Sequence, residues 1–283
     1  METKAKLNIT GIDGTVTLAN GVRMPYLGLG VYLAEDGNEV EQAIAYALEA
    51  GYRHIDTAAI YGNEEGVGNA VNNSAVDRKN IFITSKVWNS EQGYESTLQA
   101  FEESLNKLRL DYLDLYLVHW PVKGKYKATW KAMEEIYRQG KAKAIGVSNF
   151  MQHHLEDLLP DAEITPMVNQ MEFHPYLVQQ NLLDFCDRHG IQYEAWSPLM
   201  KGKIFEIPEL VALAGKYRKT VVQIVLRWNL QKGVVTIPKS VKKERIISNA
   251  DIFDFELSTE DMTGIDALDR GERVGPDPDN FNF

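Results

Sequence analysis

Four residues in the first half of the chain could together protonate an oxygen that is gaining negative charge. Lys86 closes the apolar run NIFITSK (80–86). A lysine at the end of a buried strand needs a partner, although its long stem can also snorkel from there to water. Asp56 ends YRHID (52–56) and either holds such a cation or caps the following turn. Tyr61 lies in the next loop, and His119 stands in YLDLYLVHW (112–120), as a working or a structural histidine. An ammonium beside a tyrosine favours the phenolate and lowers the phenol from its reference pKa of about 10. A carboxylate would keep the lysine charged and oriented, and a neutral histidine could polarise a carbonyl. Together these make the proton donor that carbonyl reduction requires.

A second constellation follows VVTIP (234–238). Lys239-Ser240-Val241-Lys242-Lys243-Glu244-Arg245 carries four cations and one anion in a protein whose formal charge is −10. At the start of a helix, such a run suits a phosphate-bearing ligand or is simply a solvated basic face. Trp196 ends IQYEAWS (191–197), where its face could stack on a planar ring or fill the core. Trp88 and Trp120 follow Lys86 and His119 closely and could line an apolar substrate mouth or pack its rim.

Other motifs fail. Gly28-Leu29-Gly30 and Gly66-Val67-Gly68 both lack the third glycine of a dinucleotide fingerprint. His153-His154 has no carboxylate or cysteine at metal-ligand spacing and reads as exposed helix surface, so no metal is expected. His174 before Pro175 reads as structural, and Cys186 beside Phe185 as a buried small hydrophobe.

The elements that must position these residues recur regularly. Strand patterns lie at 26–30, 52–56, 80–86, 112–120, 142–149, 166–172, 191–197 and 234–240, with amphipathic helix patterns between them. In 92–109, Leu98, Phe101, Leu105 and Leu108 share one helix face, and Gly190 closes a helix containing Leu182 and Phe185. The strand ends fall about every 30 residues, the length of one βα unit. Eight such units without a Ser/Pro/Gly-rich linker predict a (β/α)8 barrel as one domain over 1–283. The alternative, an open doubly wound sheet, lacks its glycine fingerprint. Barrel active sites lie at the carboxyl ends of the strands, where Asp56, Lys86, His119, Ser148, Asn149, Gln170 and Glu172 would all stand. TVTLANGVRMP (15–25) predicts a hairpin turned at Asn20-Gly21 and capping the barrel bottom. The stretch before the last strand has room for an extra helix, and GPDPDNFNF reads as an irregular tail.

Composition excludes several classes. With 44% hydrophobic and 25% charged residues, the chain is neither disordered nor a membrane bundle. Its negative charge argues against nucleic acid and anionic membranes as partners. The opening METKAKLNITGIDGTV has no signal-peptide core, and the single cysteine cannot form an internal disulfide, so a reducing cytoplasm is expected.

The chain resembles the aldo-keto reductase family, particularly bacterial members acting on small aldehydes or diketo-acids. The matching stretches run nearly end to end: MPYLGLGVY, GYRHIDTAAIYGNEEGVG, FITSKVWN, LDLYLVHWP, KAIGVSNF, VNQMEFHP, EAWSPL and IPKSVKKERIISN. The resemblance implies a (β/α)8 barrel that binds NADPH (NADP) in extended form without a Rossmann domain. By position it makes Tyr61 the proton donor, Lys86 its partner, Asp56 the holder of Lys86, and His119 the residue orienting the substrate carbonyl. It implies that Ser148, Asn149 and Gln170 bond the nicotinamide carboxamide and Trp196 stacks on the ring. Ser197 and Leu199 would follow the pyrophosphate. Lys239, Ser240 and Arg245 would hold the adenosine 2′-phosphate, with Val241 in the same cofactor-binding stretch and Asn249 at the adenine.

Lys242 stands where Thr or Ser is usual, Ser248 where an acidic adenine contact is common, and Trp196 where many animal members carry Tyr. The loop over 121–130 and the tail are short, which implies an open pocket for small aldehydes, ketoaldehydes such as methylglyoxal, or diketo compounds. A small carbonyl substrate is the expected partner, and a monomer the expected state. The alternatives are a cofactor-binding regulatory subunit of the same fold, or a Schiff-base aldolase using Lys86.

Overall fold

The computed structural model describes residues 8–283; residues 1–7, on which the reading of the N-terminus partly rests, lie outside the described residues. A short antiparallel hairpin comes first, β1 (Thr15–Thr17) and β2 (Arg23–Pro25), pairing Thr15 with Pro25. Asn20 in its turn donates to the Lys143 carbonyl at 2.9 Å, just before the seventh strand begins, which sets the hairpin against the amino-terminal end of the barrel.

The barrel strands are β3 (Leu29–Gly30), β4 (His54–Asp56), β5 (Phe82–Val87), β6 (Leu115–Val118), β7 (Ile145–Ser148), β8 (Val168–Glu172), β9 (Gln192–Trp196) and β10 (Val235–Thr236). All neighbours are parallel and in chain order. The ends meet: Gly28 donates to the Thr236 carbonyl at 2.9 Å, and Thr236 donates to the Tyr26 carbonyl at 2.9 Å. A Cβ on Gly30 would stand 2.9 Å from the Ile237 carbonyl oxygen, so the bare backbone there lets the last strand close on the first. The expected strands are all present, trimmed by a few residues at their ends, and the sheet is closed.

The outer layer is helical. It comprises α1 (Asn38–Glu49), α2 (Glu64–Asn72), α3 (Tyr94–Leu108), α4 (Tyr126–Arg138), α5 (Gln152–Leu158) and α6 (Gln180–Arg188). It continues with α7 (Pro208–Tyr217), α8 (Val221–Gln231), α9 (Lys243–Ala250) and α10 (Thr259–Asp266). In α3, Phe101, Leu105 and Leu108 are buried as their spacing demands, with Leu98 half-buried beside them. The long interval before β10 holds both α7 and α8. A reciprocal cap starts α8: Gln223 N donates to Thr220 Oγ1 and Thr220 N to Gln223 Oε1. The core is continuous between strands and helices, with Trp130, Trp228 and Tyr116 among its largest buried side chains. No helix among the described residues is long and apolar enough to cross a membrane.

Candidate active site

The strand ladder sets Asp56 at the end of β4 and Lys86 near the end of β5, with His119 one residue beyond β6. The Lys86 side chain is fully buried. Its Nζ lies 2.7 Å from Asp56 Oδ1, 2.8 Å from the Thr57 carbonyl and 3.5 Å from Tyr61 Oη. Burial works against the ammonium, but Asp56, Tyr61 and Glu194 outweigh it and hold the Lys86 pKa above the ordinary lysine value. The cation is therefore a permanent feature of the pocket floor.

Tyr61 sits half-buried in the loop after β4, its ring 5.0 Å from that of Tyr32 and 5.8 Å from that of His119. Here the balance expected from sequence is reversed. Desolvation raises the phenol more than the Lys86 charge lowers it, and its pKa is pushed up to about 12. At neutral pH Tyr61 therefore carries its proton. His119 moves the other way: burial, reinforced by Lys86, holds its pKa well below the usual histidine value, so the ring is neutral.

Next to this group, Ser148 Oγ donates to the Gln170 carbonyl at 2.9 Å. Asn149, with a left-handed φ of 64°, is a hub. Its amide nitrogen donates to the His119 carbonyl and to Ser148 Oγ, while its oxygen accepts the Trp196 indole N–H at 2.9 Å. Gln170 gives its amide nitrogen to Asp56 Oδ2 at 2.7 Å and to Glu194 Oε2 at 2.9 Å. Trp196 is half-buried, and a Cβ on Gly275 of the tail would stand 2.3 Å from its ring, so the tail crosses that edge without a side chain.

Ser197 follows with a φ of 52°, and Leu199 is half-buried. Beyond β10, Lys239 is exposed and donates to the Leu33 carbonyl, while Ser240 is buried and its Oγ accepts from Lys242 N at 3.1 Å. Val241 is half-buried, Arg245 is exposed on the first turns of α9, and Asn249 is buried near its end. Lys242 at the cap and Arg245 in the first turn thus stand at the positive end of α9 beside Glu244, with Lys239 just before them in the chain, a donor set suited to a phosphate-bearing ligand. Lys243 turns away to Glu49 on α1.

The mouth is aromatic. Trp88 packs edge-on to His119 with ring centres 5.1 Å apart, and Phe283 stacks on Trp88 at 5.7 Å. Phe281 and Phe283 both contact Trp120. Short as it is, the tail reaches the mouth. Glu172 Oε1 anchors its root, accepting from Val274 N, Gly275 N and His174 Nε2. Further along, Asp279 lies 2.8 Å from His153 Nε2 and 3.5 Å from His154 Nε2. The sequence reading left these histidines without a carboxylate and on an exposed face. The fold supplies the carboxylate, and His154 is mostly buried. Its Nδ1 accepts the Met151 N–H, so Nε2 keeps its proton and faces Asp279; the three side chains clasp the tail, and they also bring metal-ligating groups together that the sequence reading had kept apart.

Sequence reasoning missed Glu194, Phe281 and Phe283. Glu194 has the same strand parity as Trp196, which would have put both side chains on one face of β9. No sequence signal ties the two phenylalanines to Trp88.

The Aldo/keto reductase family profile matches residues 27–270. The chain is 62% identical to the glyoxal reductase of Bacillus subtilis over 274 residues, covering 97% of this chain and 99% of that protein. It is 48% identical to methylglyoxal reductase DkgA of Escherichia coli over 270 residues, covering 94% and 97%. The crystal structure of a Gox0644 mutant in complex with NADPH superposes with a TM-score of 0.91 at 43% identity, covering 95% and 98%. With a closed eight-stranded barrel, a lysine–carboxylate–tyrosine cluster at the strand ends and family similarity along nearly the whole length, this chain belongs to the aldo/keto reductase family and is an oxidoreductase.

Proposed function

We propose that the protein reduces small aldehydes, ketoaldehydes such as methylglyoxal, and diketo compounds to alcohols with NADPH, and that the whole chain, 1–283, acts as one barrel domain. The observation that carries this is the placement of a protonated Tyr61 over a permanently charged Lys86, itself held by Asp56. The donor set fits the cofactor: exposed Lys239, Lys242 and Arg245 at the α9 terminus suit its phosphates, and the half-buried Trp196 offers a face to a flat ring. NADPH, when bound, supplies hydride to the carbonyl carbon.

Tyr61 would give its proton to the carbonyl oxygen as negative charge grows there. The resulting phenolate would face the Lys86 ammonium, an interaction that strengthens only as the proton leaves. Asp56 keeps that ammonium in place, and the neutral His119 orients the carbonyl. Trp88, Trp120 and Phe283 would give the mouth an apolar lining. The same environment disfavours the aldolase alternative, because a lysine held above its ordinary pKa is rarely the free amine that attacks a carbonyl.

The test is loss of NADPH absorbance with methylglyoxal, repeated with Tyr61→Phe and with NADH. Turnover that prefers NADPH and collapses in the variant is expected. Full activity without the phenol would remove Tyr61 as donor, and NADPH binding without turnover of any carbonyl would favour a regulatory subunit.

A further inference from the structure

Beneath the four residues just described lies a buried ionisable group that the proposed chemistry does not use. Glu194, in the middle of β9, is completely buried and stands in register with Gln170 on β8. Its Oε2 accepts from Gln170 Nε2 at 2.9 Å, and the same nitrogen donates to Asp56 Oδ2 at 2.7 Å. A primary amide has two N–H donors, so both are engaged. The amide is planar, and its oxygen must point away from the two carboxyls. That oxygen accepts no hydrogen bond in the described hydrogen-bond network.

Resting on the NADPH reading above, we propose that Glu194 is a positioning residue for the cofactor, fixing the Gln170 amide so that its carbonyl oxygen accepts the N–H of the nicotinamide carboxamide. Asp56 alone could not do this, since a single acceptor leaves the second donor unassigned and the amide free to tilt. Glu194 fills the role without disturbing the Lys86–Asp56 pair. Burial and the nearby Asp56 carboxylate raise its carboxyl well above the ordinary range, which limits the negative charge it adds beside Asp56, and its Oε2 accepts from Gln170 in either protonation state. The groups around it are consistent with this. His54, 3.7 Å away, is itself kept neutral by burial and turns toward Thr84 Oγ1 at 3.1 Å, and Lys86 answers Asp56.

The test compares Glu194→Gln, which keeps an acceptor oxygen, with Glu194→Met, which does not; Glu194→Thr, too short to reach Gln170, replaces the latter if it fails to fold. Dissociation constants for NADPH and for its 3-acetylpyridine analogue, which has a methyl ketone in place of the carboxamide, are read from tryptophan fluorescence. The expected result is wild-type NADPH affinity in E194Q and a loss of about fivefold to tenfold in E194M, the worth of one hydrogen bond. Affinity for the analogue should be equal in all three proteins, because it has no amide hydrogen for Gln170 to receive. An equal loss for both cofactors in E194M would mark Glu194 as merely structural, and no loss for either would remove it from cofactor positioning. If wild type bound neither cofactor, the NADPH reading itself would fail, and this inference with it.

Discussion

The floor and the rim of the pocket are built on different principles. On the floor, Asp56, Lys86 and Gln170 are at most 2% exposed and ride on strands whose backbones are fixed by ladders on both sides, Asp56 and Lys86 at or near the strand ends and Gln170 in the middle of β8. Their geometry follows from the barrel. On the rim, Phe283 is 50% exposed, and the tail that carries Phe281 and Phe283 is held at separate points by Glu172, by the His153/His154–Asp279 clasp and by Asn89. Under the proposed reduction, a floor of this kind would fix the reaction and a rim of this kind would select what reaches it. The two should respond to substitution in different kinetic parameters.

The largest effect is expected on the floor. With Tyr61 as the proposed donor, Lys86→Met should lower kcat about 10³-fold, because the departing proton would no longer leave a phenolate facing a cation. It should also cost about 3 kcal/mol of stability, since Asp56 is left as a buried, unpaired carboxylate. Turnover and urea unfolding read the two separately, and an active, stable variant would contradict the picture of the floor.

Beneath that floor, His54 is fully buried, and desolvation lowers its pKa from 6.5 to about 4. The unfolded chain takes up a proton as pH falls through 6.5, while the folded chain refuses it until about 4. Stability present above 6.5 is therefore lost across that window, by about 3 kcal/mol from this group. Denaturation midpoints measured from pH 7 to 4 should fall less steeply in His54→Asn; parallel slopes would exclude His54 as a source.

The rim should show smaller changes, confined to substrate binding. Phe283→Ala removes stacking on Trp88 and should raise KM about fivefold, the value of one aromatic contact, with kcat nearly unchanged. A comparable drop in kcat would mean that the rim also shapes the floor. Asp279→Ala is expected to do least, loosening the tail by about 0.5 kcal/mol and moving Tm by about 1–2 °C, as exposed ion pairs do. Differential scanning of the two proteins side by side would detect it.

The floor was legible in the sequence for the reason that it is rigid. Once strands recur at a fixed interval, the polar residue ending each one must face the same opening, and Asp56, Lys86 and His119 follow. Signs of competing electrostatic effects were not legible. The Lys86 charge beside Tyr61 could be inferred from residue types, but the desolvation that overrides it depends on how deeply the loop after β4 is covered. The rim was read only as far as Trp88 and Trp120. Nothing in GPDPDNFNF states that its phenylalanines meet residues far earlier in the chain, because a tail without periodic pattern carries no register. Glu194 lies between these cases, since strand parity would have exposed it had Trp196 been taken as the inward landmark.

The bonds by which Thr236 reaches back to Tyr26 and Gly28 also impose an order on how the molecule comes into being. Every other pair of neighbouring barrel strands is joined within a short stretch of chain, but the first strand must wait for the last. During synthesis β3 therefore carries a free edge until β10 has emerged, and an incomplete barrel exposes rows of unpaired amides and carbonyls to other nascent chains. Closure by such a distant contact makes folding slow for the molecule's size and places its greatest risk of aggregation just before completion.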